Sequence, residues 1–72
     1  MLSTYQYNFL LTIERGNTQH HAFQVFERPV MELLHKGLIK DLCGARNEFF
    51  YLELTFAGKV VLAARKHKEE LR

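Results

Sequence analysis

Seventy-two residues with 47% hydrophobic and 25% charged side chains describe one small folded domain and exclude a disordered chain. One cysteine, Cys43, excludes an internal disulfide and a cysteine-rich zinc site. A net charge of +2 permits a nucleic-acid partner without demanding one.

The start, MLSTYQYNFLL, lacks the basic residues and long apolar run of a secretion signal. No later apolar run reaches the length of a membrane span. These features, with a lone thiol that suits a reducing compartment, predict a cytoplasmic protein without a membrane partner. A chain this short buries only roughly 60% of its unfolded surface, so it needs an efficient core or a partner.

Ser3 or Thr4 caps a first helix, and Gly16 ends it. Leu2, Tyr5, Phe9, Leu10 and Ile13 fall on one face at helical spacing. Tyr7 and Leu11 lie one turn apart on the other side, as the edge of a small core or as a partner contact. Residues 17–27 read two ways. Ala22 to Phe26 suits a short strand with Phe23 and Val25 on one face, and a short helix from a Thr18 cap is the alternative.

Pro29 opens a helix that runs to about Lys36, where Gly37 ends it. Val30, Leu33 and Leu34 face inward, with Phe26 just ahead of them. Arg28, Met31, Glu32, His35 and Lys36 face outward. Leu38–Leu42 and Glu48–Leu54 form a hairpin across the turn Cys43-Gly44-Ala45-Arg46-Asn47. In its second strand Phe50, Leu52 and Leu54 form the core set, which leaves Phe49 and Tyr51 outward, under a third strand or a partner chain. Thr55 caps a last helix whose expected inward stripe is Phe56, Val60, Ala63, Ala64, His67 and Leu71. Leu62 is then left on its back.

The segments Leu33-Leu34-His35-Lys36-Gly37-Leu38-Ile39 and Tyr51-Leu52-Glu53-Leu54-Thr55-Phe56-Ala57-Gly58-Lys59 resemble winged helix-turn-helix domains. In that family the first kind of segment ends the recognition helix, and the second closes the wing and starts the next helix. The broad comparison is with repressors of the multiple-antibiotic-resistance type. The resemblance implies an α+β fold: a small winged-helix domain with helices packed on a two- or three-stranded antiparallel wing sheet. This chain departs from the pattern before the recognition helix. Only residues 17–27 are available for the second helix, so it is trimmed or vestigial. Trimmed versions are similar to small regulators of phage and other mobile elements.

On that resemblance, the DNA-contacting residues are Arg28, Met31, His35 and Lys36 on the helix and Lys40, Arg46 and Asn47 on the wing. Arginine reads guanine edges and lysine holds phosphates. Glu32 on the same face accepts from cytosine but repels phosphate. The plain alternative is a solvated helix face and hairpin tip. His20, His21, His35 and His67 lack the spacing of a metal site, and His67 reads as a partly buried residue. Cys43 has no paired base nearby in sequence, so neither catalysis nor a cofactor is expected.

Two functions are therefore in view. One is a DNA-binding transcriptional regulator that acts by operator occupancy on double-stranded DNA. It would be a homodimer whose interface uses Tyr7, Leu11 and Leu62, or else Phe49 and Tyr51 on the wing. The other is a protein-interaction module of the same fold that binds and inhibits a host protein.

Overall fold

The computed structural model describes residues 2–42 and 48–71. The elements run α1 (Thr4–Glu14), β1 (Gln19–His21), α2 (Ala22–Val25), α3 (Arg28–His35), β2 (Ile39–Asp41), β3 (Phe49–Leu54) and α4 (Phe56–Glu70). The three strands form an antiparallel sheet in the order β1-β3-β2. The result is a small α+β domain, and its element order is compatible with a winged-helix-like fold. Among the described residues, no helix is long and apolar enough to cross a membrane.

Local chemistry sets most helix ends. The Ser3 hydroxyl accepts from the Gln6 backbone N–H, and the Gln6 side chain accepts from the Ser3 backbone N–H. This reciprocal box satisfies two donors that the first turn of α1 would otherwise leave open. The Gln6 amide also donates to the Pro29 carbonyl at 2.9 Å, which ties α1 to the start of α3. At the end of α3, Gly37 adopts φ +73°, and Leu38 N–H returns to the Leu33 carbonyl. This left-handed cap turns the chain straight into β2.

Thr55 links two helices. Its hydroxyl accepts from Gly58 N–H to cap α4 and donates to the Gly37 carbonyl at 2.6 Å. Its backbone N–H donates to the Leu38 carbonyl. The start of α4 is thereby fixed against the end of α3.

The core gathers Phe9, Leu10 and Ile13 of α1, Val25, Val30 and Leu33 of α2 and α3, Leu38 and Ile39, Leu52 and Leu54 of β3, and Leu62 of α4. Phe50 packs against this cluster, so the expected core set of β3 holds. Leu33 is fully buried, whereas Leu34 is only partly buried. Leu33→Ala is therefore expected to cost about 2–5 kcal/mol, as a buried leucine truncation does, and Leu34→Ala about half as much. Urea unfolding of the two variants checks this order, and equal losses would show that α3 is rotated from its described position.

Three expectations are corrected. Ala22–Val25 is a single helical turn, not a strand, and the strand lies earlier, at Gln19–His21. The His21 ring accepts from Phe23 N–H and caps that turn, while Ala22 N–H pairs with the Glu48 carbonyl and closes the ladder. Local capping thus outweighs the strand preference of Phe23 and Val25. The new strand also lies beside β3, not over Phe49 and Tyr51.

Second, α4 sits nearly half a turn from its expected phase. Gly58 and Leu62 are buried, and Phe56, Val60, Ala63, Ala64, His67 and Leu71 are exposed. Thr55 and Gly58, both pressed against residues 37–38, set this rotation.

Third, Leu62 is 1% exposed and belongs to the core of its own chain, so it is no free surface for a partner. Tyr7 and Leu11 are partly buried against that same core. The Arg65 guanidinium lies 4.7 Å from the centre of the Tyr7 ring and donates to the Leu2 carbonyl. Lys66 pairs with Glu14. The back of α1 therefore meets α4 within one chain.

Candidate nucleic-acid interface

Helix α3 has two chemically different sides. Val30 and Leu33 are completely buried on one side. On the other, Arg28, Glu32, His35 and Lys36 are exposed and Met31 is half-buried. The Pro29 ring suits the first turn, where its missing N–H costs nothing. Gly37 ends the helix immediately after Lys36. The outward face is thus short and bounded at both ends by residues that cannot extend it.

The single turn α2 precedes this helix, joined to it by Phe26 and Glu27. On the other side, Lys40 is exposed on β2 and lies 3.9 Å from the Glu53 carboxylate across the strand pair. At that distance and exposure the pair contributes little to stability and leaves Lys40 able to turn to another anion. Arg46 and Asn47, expected at the hairpin tip, lie outside the described residues, as does Cys43.

The charge pattern over this region is mixed. Arg28, Lys36 and Lys40 alternate with Glu27, Glu32 and Glu53. Steering of a polyanion would therefore be local to α3 and the hairpin, and would not spread over a broad positive face.

Beside the start of α3 lies an aromatic cluster that hydropathy alone did not mark as surface. Phe23 and Phe26 are 82% and 63% exposed. The Phe23 ring stacks on His21 at 4.9 Å, Phe49 meets His21 edge-on, and Phe26 meets Phe50 edge-on. Phe49 and Tyr51, read as outward, are half-buried. Position Phe49 pairs across the ladder with His21, and Tyr51 with Gln19.

The histidines separate by role. His20 is 5% exposed and packs on Phe9 at 4.6 Å. Its Nε2 donates to the Asn17 carbonyl at 2.8 Å, and its Nδ1 faces the Gln24 carboxamide. His21 lies on the opposite side of the strand, half-exposed, 3.6 Å from Glu48. His35 and His67 are exposed, which corrects the expectation that His67 is partly buried. Among the described residues, no group of three or more metal-ligating side chains comes together.

A cleft of about 310 Å³ lies between α1 and β1, lined by Tyr5, Asn8, Phe9, Gln19, His20 and Gln24. Its polar groups are the amides of Asn8, Asn17, Gln19 and Gln24, the imidazoles of His20 and His21, and the hydroxyls of Tyr5 and Thr12, with no carboxylate among the lining residues, so it offers hydrogen bonds and ring stacking. Sequence reasoning missed both Gln6 and His20 as interior polar residues. The capping box marks Gln6 locally, but nothing local marks its bond to Pro29.

Comparison of this chain with protein families, with curated proteins and with solved structures finds no match.

Proposed function

We propose that this chain is a small DNA-binding regulator of winged-helix type that acts in the cytoplasm by occupying an operator. The observation that carries the proposal is the two-sided α3, with Val30 and Leu33 in the core and Arg28, His35 and Lys36 exposed, followed directly by the β2–β3 hairpin. A helix of this kind fits the major groove, where Arg28 and His35 would meet base edges. Lys36 and Lys40 would hold phosphates, and Arg46 and Asn47, which the sequence alone assigns to the turn, would meet the adjacent backbone or minor groove. Glu32 would either accept from cytosine or disfavour wrong sites by repelling phosphate. Met31 would supply apolar contact.

Three cations, Lys36, Lys40 and Arg46, set the expected salt dependence. Three phosphate contacts give a logarithmic slope of roughly −3 per chain, so a fourfold rise in salt weakens binding about fortyfold. Anisotropy with labelled duplexes at about 50 and 200 mM salt measures this directly. Lys36→Ala is expected to reduce the slope by about 1 on every duplex, whereas Arg28→Ala should change which sequence is preferred. No binding at the lower salt would overturn the proposal.

A second reading is favoured by one observation, the exposed Phe23 and Phe26 beside a helix whose charges alternate in sign. Exposed apolar clusters of this kind mark protein interfaces. On that reading the same domain binds and inhibits a host protein. Phe23→Ser with Phe26→Ser separates the two: it abolishes capture of a protein partner under the second reading and leaves duplex affinity within about twofold under the first.

A further inference from the structure

The cleft between α1 and β1 combines flat rings with a polar rim. Phe9 and His20, 4% and 5% exposed, pack ring to ring at 4.6 Å and line its inner side. Tyr5 is 43% exposed and lies nearly parallel to Phe9, with ring centres 6.5 Å apart and planes 19° apart. Rings in this relation form an offset stack, which a flat ligand in the cleft can continue. Around the rings stand the carboxamides of Asn8, Asn17, Gln19 and Gln24. Each carboxamide presents both donors and an acceptor. Among the described residues, those of Asn8, Asn17 and Gln19 have no hydrogen-bond partner. The volume, about 310 Å³, falls at the low end of the roughly 300–1,000 Å³ of small-molecule sites.

We propose that this cleft binds a nucleobase, adenine by preference, carried by a free nucleoside or by an unpaired nucleotide of a single strand. A base has apolar faces and keeps its donors and acceptors on its edge, so stacked rings with carboxamides around them match it. A sugar carries hydroxyls around its whole ring. Those turned toward Phe9 would lose their hydrogen bonds to water without replacement. The lining holds no lysine, arginine, aspartate or glutamate, so the part of the ligand that it takes is uncharged.

The carboxamides also choose among bases. Asparagine or glutamine pairs with adenine at N6 and N7, a donor beside an acceptor. The guanine edge shows two acceptors, O6 and N7, which call for arginine or lysine. A purine also offers the Tyr5 ring a larger face than a pyrimidine does. Gln24 is assigned the pairing, because it is half-buried and lies 3.4 Å from His20 Nδ1, while Asn8, Asn17 and Gln19 are exposed and less fixed. The site uses α1, β1 and α2 and none of the residues assigned to the duplex, so its test stands apart from the duplex measurement.

The test is a nuclear magnetic resonance titration of the isotope-labelled full chain with adenosine. Signals of Asn8, Gln19 and Gln24 should shift saturably, with a dissociation constant on the order of 0.1 mM, as expected for a ligand of about twenty non-hydrogen atoms. Guanosine and uridine should bind about fivefold more weakly or worse. Tyr5→Ala should weaken adenosine roughly tenfold and Tyr5→Phe leave it within about twofold, since stacking needs the ring and not the hydroxyl. Gln24→Ala should weaken adenosine about fivefold and erase the preference over guanosine. Wild-type circular dichroism of the three variants shows that the fold is kept. A short single-stranded oligodeoxyadenylate that binds about tenfold tighter than adenosine assigns the site to an unpaired base of a strand, and equal affinities assign it to a free nucleoside. The absence of a saturable shift up to about 5 mM adenosine, or a Tyr5→Ala protein that binds like the wild type, would remove the site. Guanosine binding as tightly as adenosine would refute the choice of base.

Discussion

Replacing Gly58 with alanine is expected to destabilise the protein by about 2 kcal/mol or more, although alanine is the better helix former by roughly 1 kcal/mol. Gly58 sits in the first turn of α4, where its N–H donates to the Thr55 hydroxyl. A Cβ at this position would meet the Leu38 carbonyl oxygen at 2.0 Å and its carbon at 3.0 Å. The obstructing atoms are backbone, so no rotamer change relieves the clash. That carbonyl also accepts from Thr55 N–H at 3.1 Å, so moving it strains the junction that sets the rotation of α4. For a domain of this size the loss corresponds to a melting temperature lowered by roughly 8–16 °C. Ala64→Gly, at an exposed position of the same helix, is expected to cost only the roughly 1 kcal/mol of propensity. Thermal denaturation of both variants tests the close approach, and a Gly58→Ala protein more stable than wild type would rule it out.

The same junction explains where the fold was legible in the sequence. Ser3, Gly16, Gly37 and Thr55 were readable as helix boundaries because each acts on partners within a few residues. The alternation of Phe50, Leu52 and Leu54 was readable because a strand shows its two faces in period two. The phase of α4 was not, because Val61 and Leu62 on one side compete with Phe56, Val60 and Leu71 on the other. Hydrophobicity gives the longer stripe the advantage. A missing Cβ at Gly58 and the Thr55–Gly37 bond decide for the shorter one, and both act across some twenty residues of sequence.

Residues 17–27, open between strand and helix in the sequence, stayed ambiguous for a different reason. Aromatic and β-branched side chains favour a strand on average. Here the His21 ring offers Phe23 N–H a local acceptor, and Phe23 and Phe26 turn out to the surface. The outer face of α3 was readable at Arg28, Glu32, His35 and Lys36, since a helix whose apolar residues fall on one side exposes the other. The aromatic cluster beside it was not, because sequence hydropathy places phenylalanine inside.

Leu62→Glu is expected to abolish cooperative folding, while Phe56→Ser leaves stability within about 0.5 kcal/mol of wild type. Leu62 is 1% exposed at the centre of the contact between α4 and the rest of the core, and Phe56, six residues earlier, is 81% exposed. Truncating such a leucine costs about 2–5 kcal/mol through lost burial and the cavity left behind. A carboxylate in its place adds the cost of a buried, unpaired charge, several kcal/mol more. The total stability of a domain this size is only about 4–11 kcal/mol, so the charged variant has little or nothing left. Of the basic side chains that follow it on α4, Lys66 is committed to Glu14, and Arg65 to Glu69 and the Leu2 carbonyl. Circular dichroism during heating reads both variants. A Leu62→Glu protein that melts cooperatively near the wild-type temperature would place Leu62 at the surface and return α4 to the opposite rotation, with Phe56 and Val60 inside.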